Sequence, residues 1–214
     1  MKRGRFITLE GVDGAGKSTS LEAIRRFLEG RGVEVVVTRE PGGTPFAEKV
    51  RDLLLGAHEE AVDPVAETLL LFAARAQHVG AVIEPALARG RWVVSDRFTD
   101  ATRAYQGGGR GVDGQAIEGL ARLVHPGLEP DLTFYLDLPV DQARRRIAGV
   151  GERAAADLDR FERERASFHE RVRAAYRTLA QSSERVRTID ASLPEDEVAR
   201  GIVAMLGDFV DEHG

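Results

Sequence analysis

The chain has 214 residues, of which 43% are hydrophobic and 30% charged, a balance typical of an ordinary globular protein. It contains no cysteine, which excludes disulfide bonds, thiolate metal sites and cysteine nucleophiles. The formal net charge of −5 argues against a general nucleic-acid binder, and every apolar run is too short for a membrane helix. We therefore expect a cytoplasmic protein with a single domain, 1–214, that binds neither nucleic acid nor membranes.

Segments of strand type and helix type alternate along the chain. Strands are predicted at 6–9, 33–38, 92–96, 132–138 and 186–189. Helices are predicted from near Gly16 to about Gly30, at 44–55, 63–89 and 113–124, and over a final segment that includes 198–210. A run of three glycines at 107–109 is predicted to form a loop. The alternation predicts an α/β fold with a five-stranded parallel sheet flanked by helices.

The strongest motif follows the first strand directly and begins a helix: Gly11-Val12-Asp13-Gly14-Ala15-Gly16-Lys17-Ser18. Glycines at this spacing let backbone N–H groups surround phosphate oxygens, and the helix N-terminus adds positive charge. Lys17 is placed to reach the β- and γ-phosphates, and the Ser18 hydroxyl to face Mg²⁺. The predicted ATP-binding segment runs from this motif to Thr19.

Two acids that end apolar strands, Asp96 and Asp137, are candidates for the remaining magnesium ligand. In an open parallel sheet the ligand crevice lies at the carboxyl ends of the strands, where both acids are expected. Asp96 is preferred because Arg97 follows it and would place an anion-binding group beside the metal. The predicted metal ligands are therefore Ser18 and Asp96.

Further motifs follow in a fixed order: Phe6-Ile7-Thr8-Leu9-Glu10-Gly11, Thr38-Arg39-Glu40-Pro41-Gly42-Gly43, Phe72-Ala73-Ala74-Arg75, Asp96-Arg97-Phe98 and Ala104-Tyr105-Gln106-Gly107-Gly108-Gly109-Arg110. In this order they resemble the thymidylate kinase family over most of the chain. The resemblance implies a P-loop nucleoside monophosphate kinase fold with an arginine-rich lid. It also implies a homodimeric, Mg²⁺-dependent enzyme that phosphorylates dTMP to dTDP with ATP.

The same resemblance implies roles for residues on the dTMP side. Phe72 would stack on the thymine ring, although its place on an apolar stripe also fits a core residue. Arg75 and Gln106 would hydrogen-bond to the edge of the ring, Tyr105 would pack against the sugar, and Asp13 would hold the 3′-hydroxyl. The predicted dTMP-binding residues are Asp13, Arg39, Phe72, Arg75, Arg97, Thr102, Tyr105 and Gln106.

An acceptor that is itself a phosphate needs positive charge more than a general base, because its second pKa of about 6 leaves it mostly dianionic. Arg39 and Arg97 are expected to bind this phosphate. The phosphate-loop motif has no arginine at its variable positions, and family members of that kind carry catalytic arginines in the lid. We expect the lid at about 144–160, with Arg153 as its first catalytic candidate. The predicted catalytic residues are Asp13, Lys17, Arg97 and Arg153.

Some alternatives remain open at this point. A deoxynucleoside kinase would need a carboxylate base, and Glu10 or Asp13 is suited to that role. A nucleotide-dependent switch would need no second set of phosphate-binding arginines. Arg103 stands where the family often carries a smaller amide, so it either alters the base pocket or faces solvent.

Overall fold

The structure, a computed structural model, describes residues 3–149 and 159–213, and its strands form one parallel sheet. The strand order within this sheet is β2-β3-β1-β4-β5. The strands are β1 Phe6–Glu10, β2 Val35–Arg39, β3 Trp92–Asp96, β4 Leu132–Asp137 and β5 Val186–Asp190. The predicted five-stranded parallel sheet is thereby confirmed, with strand boundaries that move by one or two residues.

Helices pack against this sheet and connect its strands. Those of the described residues are α1 Lys17–Gly30, α2 Pro45–Leu55, α3 Pro64–His78, α4 Glu84–Ala88, α5 Thr99–Thr102, α6 Gly114–Val124, α7 Val140–Gly149, α8 Ala166–Ser182 and α9 Glu195–His213. A π-helical segment, Val79–Ile83, joins α3 to α4. The predicted helix at 63–89 is therefore one helical stretch with a π-helical segment inside it.

Three helices begin where a polar side chain caps the first turn. The Thr44 hydroxyl accepts a hydrogen bond from Ala47 N, and Pro45 follows it. Asp63 and Asp113 accept hydrogen bonds in the same way before α3 and α6. A capping oxygen satisfies a backbone N–H that has no partner inside the helix, which explains why these starts were predictable.

The prediction of a loop at residues 107–109 is wrong. These glycines belong to a second π-helical segment, Arg103–Gly109, which packs closely against α8. A Cβ atom on Gly108 would lie 2.5 Å from Ala175 Cβ, and one on Gly109 would lie 2.5 Å from the Phe168 ring. The glycines are thus required for close helix packing, and glycine composition alone cannot distinguish this role from a loop.

Helix α8 is absent from the predicted elements, although it supplies part of the main core. Its buried residues Phe168, Val172 and Tyr176 recur every four positions, as on one face of a helix. They pack in the same cluster as Ile7 and Leu9 of β1. The charged residues between them make the segment polar overall, which conceals the apolar face.

Apolar side chains cover both faces of β1. Ile7 and Leu9 belong to the main core, whereas Phe6 packs in a second cluster with Ile83 and Phe98. Alternate residues of a strand point to opposite faces, so β1 is buried on both sides. Its carboxyl end is therefore a rigid base for the motif that follows it.

Most of the predicted lid at about 144–160 lies outside the described residues, and so does Arg153. The arginine run of this segment begins on helix α7, because Arg144 and Arg146 lie within Val140–Gly149. The lid and the single-domain organisation stay predictions. In the part of the chain that the structure describes, no helix has the length and apolarity needed to cross a membrane.

Candidate active site

The phosphate loop, residues 11–16, lies between the end of β1 and the start of α1. Lys17 Nζ donates hydrogen bonds to the carbonyl oxygens of Gly11 and Val12, at 3.3 and 3.1 Å, and lies 3.4 Å from Asp13 Oδ1. The first N–H groups of α1 have no acceptors within the helix, and they point toward the loop. The loop therefore combines an ammonium group with a helix N-terminus, which suits a polyphosphate.

Two cavities lie beside this loop, and both are lined by Asp13 and Arg97. The first, the phosphate-loop cavity, is also lined by Gly14, Gly16, Lys17, Ser18, Arg39 and Asp96. The second, the apolar cavity, is also lined by Leu71, Arg75, Phe98, Thr102, Tyr105, Gln106 and Phe161. The loop residues Val12 and Ala15 are buried in the core. Most residues predicted for the ATP and dTMP sites thus lie around two adjoining spaces.

Arg97 connects the two cavities. Its Nη1 donates to the carbonyl of Gly11 at 2.9 Å, and its Nη2 donates to Asp13 Oδ1 at 2.6 Å. The guanidinium also lies over the Tyr105 ring, 4.9 Å from its centre. Arg97 has a φ of 71°, a left-handed conformation that costs a non-glycine residue about 1 kcal/mol or more. The surrounding bonds compensate for this strain and hold the guanidinium where the cavities meet.

Asp13 is held as a carboxylate by its neighbours. Burial by itself would raise the pKa of Asp13, but the Arg97 guanidinium and the Lys17 ammonium hold this pKa well below its ordinary value. The side chain is ionised throughout the physiological range, so it is a good hydrogen-bond acceptor and a weak base. Asp13 is thus suited to hold a hydroxyl group and to orient Arg97, and poorly suited to remove a proton.

Glu10 is fully buried at the end of β1. Its Oε1 accepts a hydrogen bond from Phe98 N at 2.8 Å, and its Oε2 accepts one from the Tyr176 hydroxyl at 2.7 Å. Burial, with a smaller contribution from Asp100, raises the pKa of Glu10 to about 8. Glu10 lines neither cavity, and a general base must reach the proton that it removes. The base role considered for Glu10 is therefore not supported.

A group of arginines surrounds the part of the phosphate-loop cavity that adjoins the apolar one. Arg39 is half exposed and donates to Glu48 at 2.9 Å, while Arg51 donates to the carbonyl of Pro41 at 2.9 Å. Burial, followed by repulsion from Arg39, lowers the pKa of Arg51. Such crowding of like charges favours binding of an anion. Arg51 was not predicted, because a single arginine on a helix resembles any solvated charge.

Arg75 lines the apolar cavity from α3 and is only 2% exposed. Its Nε donates to Glu40 Oε2 at 2.6 Å, and its Nη2 donates to the Phe98 carbonyl at 3.2 Å and to Thr102 Oγ1 at 3.1 Å. Among the described residues, Nη1 has no hydrogen-bond partner although it is buried. A buried donor without a partner is unfavourable, so this nitrogen is suited to bind a ligand acceptor.

The polar wall of the apolar cavity also includes Gln106 and Tyr105. Gln106 Nε2 donates to the buried carboxylate of Glu67 at 2.7 Å, which fixes the orientation of the amide. The Tyr105 hydroxyl lies 3.2 Å from Arg97 Nη2 and 3.5 Å from Asp13 Oδ2. Both side chains are held by protein groups and present fixed polar edges to the cavity.

Phe72 is the predicted dTMP-side residue that the structure places apart from the others. Its ring is 2% exposed, packs with Ile117 and Ala121, and does not line the apolar cavity. The Arg75 guanidinium lies over the ring, 4.7 Å from its centre. In this arrangement Phe72 supports Arg75 from the side of the core, and stacking of Phe72 on a base stays a prediction.

The residues predicted to bind magnesium fit such an ion. Ser18 and Asp96 line the same cavity, and Asp96 Oδ1 is buried without a hydrogen-bond partner in the described residues. The other candidate, Asp137, is instead bonded to Arg173 Nε at 2.7 Å and to the Tyr135 hydroxyl at 3.0 Å. In the described residues no group of three or more acidic or histidine side chains could hold a metal. Few protein ligands are needed when Mg²⁺ binds substrate phosphates and water.

Two further features were missed or left undecided by the sequence. Arg146 lines the phosphate-loop cavity and donates to the Ala191 carbonyl at 2.9 Å, which connects the arginine run to the turn before α9. Arg103 donates to Asp100 at 2.8 Å and to Glu118 at 2.7 Å. Arg103 lines neither cavity, and it does not simply face solvent because these acids neutralise it and it is only 17% exposed.

A phosphate loop at the end of β1 and an arginine-lined cavity that adjoins it at Asp13 and Arg97 define a P-loop kinase, an enzyme that holds two phosphorylated substrates end to end. A family model described as "Thymidylate kinase" matches residues 9–202. The chain belongs to the thymidylate kinase family.

Similar proteins extend over nearly the whole chain. A thymidylate kinase of Methylobacillus flagellatus is 54% identical over 97% of this chain and 98% of its own length. A thymidylate kinase of Chromohalobacter salexigens is 55% identical over 96% of each chain. The crystal structure of thymidylate kinase from Ehrlichia chaffeensis has a TM-score of 0.75 and 33% identity over 95% of this chain and 99% of its own. The nucleoside monophosphate kinase fold is thus confirmed.

Proposed function

We propose that this protein transfers the γ-phosphate of ATP to dTMP and so forms dTDP. The observation that carries the proposal is the junction of the two cavities at Asp13 and Arg97. A polyphosphate in the phosphate-loop cavity and a nucleotide in the apolar cavity would bring their phosphates together there. The family name supports thymine as the base.

The electrostatics of the site account for catalysis without a general base. Two anions must approach in line, and their mutual repulsion is the main obstacle. Lys17 lies on the donor side, and Arg39, Arg51 and Arg97 surround the place where the acceptor phosphate would lie. Arg97 would neutralise negative charge that develops during transfer. Its guanidinium is held in place for this role by the 2.6 Å hydrogen bond from Nη2 to Asp13 Oδ1.

We propose that Mg²⁺ accompanies ATP, held on the protein side by Ser18 and Asp96. A bound Mg²⁺ would neutralise the β- and γ-phosphate oxygens of the donor. The partnerless Oδ1 of Asp96 supports this assignment. The test is to titrate Mg²⁺ for wild type and Asp96→Asn with ATP and dTMP fixed. The variant should need at least about 10-fold more Mg²⁺ for half-maximal rate, and an unchanged requirement would remove Asp96 from the site.

The competing deoxynucleoside kinase would need a carboxylate that removes a proton from a sugar hydroxyl. Glu10 is fully buried with both oxygens bonded, and the lowered pKa of Asp13 makes it a weak base. An assay of ADP release should therefore show turnover with dTMP and none with thymidine. Turnover with thymidine would support the nucleoside kinase, and absence of ADP with every nucleoside monophosphate would support a switch.

We further propose Arg153 as a catalytic arginine supplied by the lid, as the family resemblance implies. Arg153→Ala should lower kcat about 10³-fold, in the range of arginines that stabilise phosphoryl transfer, and leave the KM for dTMP nearly unchanged. The exposed Arg165, just before α8, offers a matched control, Arg165→Ala. Near-normal turnover of Arg153→Ala would remove this residue from the mechanism.

A homodimer is the assembly that we propose, and exposed apolar side chains on two neighbouring helices support it. Val65 and Leu69 of α3 are 55% and 51% exposed, and Leu123 of α6 is 77% exposed. Exposed apolar residues grouped in this way often mark protein interfaces. Light scattering should give twice the 23.4 kDa chain mass, and Leu69→Asp should shift it toward the monomer. The cytoplasmic location stays a prediction, which cell fractionation would test.

A further inference from the structure

Four side chains form a hydrogen-bonded network that ends at the wall of the apolar cavity, which Glu40 and Arg75 both line. Thr38 Oγ1 lies 2.6 Å from His78 Nε2, and His78 Nδ1 lies 2.9 Å from Glu40 Oε1. The other oxygen, Glu40 Oε2, accepts from Arg75 Nε at 2.6 Å. The side chains of Glu40, Arg75 and His78 are between 0% and 3% exposed. This network of hydrogen bonds therefore extends from the end of β2 to the Arg75 guanidinium that lines the cavity.

The direction of these hydrogen bonds follows from the charge on Glu40. Burial by itself would raise the pKa of Glu40, but Arg75 and His78 outweigh burial and hold this pKa below its ordinary value. Glu40 is thus a carboxylate and can only accept hydrogen bonds. His78 must donate through Nδ1–H, which leaves Nε2 to face the Thr38 hydroxyl.

Gly43 shows that this arrangement leaves no spare room. A Cβ atom on Gly43 would lie 2.4 Å from His78 Nε2 and 2.6 Å from Thr38 Oγ1. The residue has a φ of +83°, which disfavours a side chain for a second reason. The backbone of the Pro41-Gly42-Gly43 segment therefore packs directly on the contact between Thr38 and His78, and the imidazole is confined on that side.

The guanidinium of Arg75 is in consequence fixed at two of its three nitrogens. Nε is held by Glu40, and Nη2 by Phe98 and Thr102. Only Nη1 remains without a partner among the described residues. A guanidinium nitrogen is a donor and never an acceptor, so it favours a carbonyl oxygen on a base and disfavours an amino group at the same place.

We propose that His78 and Glu40 are positioning residues that hold Arg75 Nη1 toward the base and thereby set the preference for a keto over an amino pyrimidine. This inference rests on the proposed function, because it assigns a selectivity to the same acceptor site. His78 lines neither cavity and Glu40 lines both, but neither residue needs to touch the substrate for this role. Their effect passes through one guanidinium, whose displacement would weaken a directional hydrogen bond.

Two near-isosteric variants of His78 separate the two ends of the imidazole. The side-chain N–H of His78→Asn can replace Nδ1–H and still donate to Glu40, whereas His78→Gln places its amide near Nε2 and faces Thr38. If the bond to Glu40 carries the effect, His78→Asn should retain most of the wild-type selectivity. His78→Gln should raise the KM for dTMP roughly 10- to 100-fold with a smaller change in the KM for ATP.

The matched substrates are dTMP and 5-methyl-dCMP. Both bases carry the ring methyl group, but thymine has a carbonyl oxygen where 5-methylcytosine has an amino group. For His78→Gln the ratio of kcat/KM between them should fall at least about 10-fold. If this ratio of kcat/KM is the same for His78→Asn, His78→Gln and wild type, the inference is overturned. Wild-type turnover of dTMP is measured first, so that failure of the proposed function would show as no turnover in the unmutated protein.

Since His78 is fully buried, a variant that fails to fold would say nothing about selectivity. Nitrogen-15 NMR of the imidazole in the wild-type protein provides a second measurement. We expect the spectrum of a ring that carries its proton on Nδ1, and a neutral ring protonated only on Nε2 would overturn the inference. Thr38→Val is the control variant, since it should leave the bond to Glu40 and the selectivity largely in place.

Discussion

Arg97 Nη2 donates a hydrogen bond of 2.6 Å to Asp13 Oδ1, which joins the residue after β3 to the phosphate loop after β1. The two strands are neighbours in the sheet, with Leu9 paired to Asp96. Because the strands are parallel, both segments emerge at the same edge, where ligands of such sheets bind. A pair 84 positions apart in the chain thereby becomes the meeting point of the two cavities.

The first prediction concerns Arg97→Lys. Lysine keeps the charge but lacks the planar guanidinium, which places Nη1 on the Gly11 carbonyl and Nη2 on Asp13 while it lies over the Tyr105 ring. We expect kcat to fall about 10²-fold or more, with a smaller change in the KM for ATP. Steady-state kinetics with dTMP and ATP varied separately would measure both effects. A variant with wild-type kcat would mean that charge alone suffices at this position.

The second prediction concerns the pH dependence of stability through Glu10. Its pKa is about 8 in the folded protein, above the usual 4.5, so the folded state binds more protons between these values. The contribution of Glu10 to stability should therefore fall as pH rises through this window. Glu10→Gln resembles the protonated acid at every pH. The free energy of unfolding of this variant, measured relative to wild type, should therefore rise by more than about 1 kcal/mol between about pH 5 and pH 8.

Urea unfolding at a series of pH values would test this second prediction. Glu60→Gln, at an exposed position before α3, is the matched control and should follow the wild-type curve. Parallel curves for Glu10→Gln and wild type would show that Glu10 is ionised in both the folded and the unfolded state.

The third prediction separates stability from substrate binding at Arg103. This side chain is 17% exposed and forms ion pairs with Asp100, Glu118 and Glu129. Arg103→Asn should lower the free energy of unfolding by about 2 kcal/mol, since several charge-assisted hydrogen bonds are lost. The KM for dTMP should stay within about 2-fold of wild type, because Arg103 does not line the apolar cavity. A large rise in this KM with unchanged stability would instead mean that Arg103 contributes to the binding of the base.

The fourth prediction addresses the two roles considered for Phe72. Phe72→Leu preserves much of the buried volume and removes the ring that lies against Arg75. We expect a loss of about 1 to 2 kcal/mol in stability and a clear rise in the KM for dTMP, with the KM for ATP unchanged. Calorimetry together with kinetics measures both. If stability alone falls, Phe72 is a core residue without influence on the base.

The strands and the phosphate loop could be predicted because their signals are local. A short strand-forming run, a glycine spacing and a capping side chain each act over a few positions. Helix α8 was missed for the opposite reason, since its apolar face appears only when Phe168, Val172 and Tyr176 are placed four apart among charged neighbours. The glycines at 107–109 were misjudged because their contacts with α8 lie more than 50 positions away.

Residue types and their order by themselves determined that this protein has an alternating α/β chain with a phosphate loop, and that it resembles one kinase family. Only the tertiary structure decided that Glu10 is buried beyond reach, that Arg103 is neutralised away from the pocket, and that Arg51 belongs to the arginine group. The physical reason is that burial and charge pairing depend on residues distant in sequence. A motif shows which groups are present, whereas the fold decides which of their atoms remain free to meet a substrate.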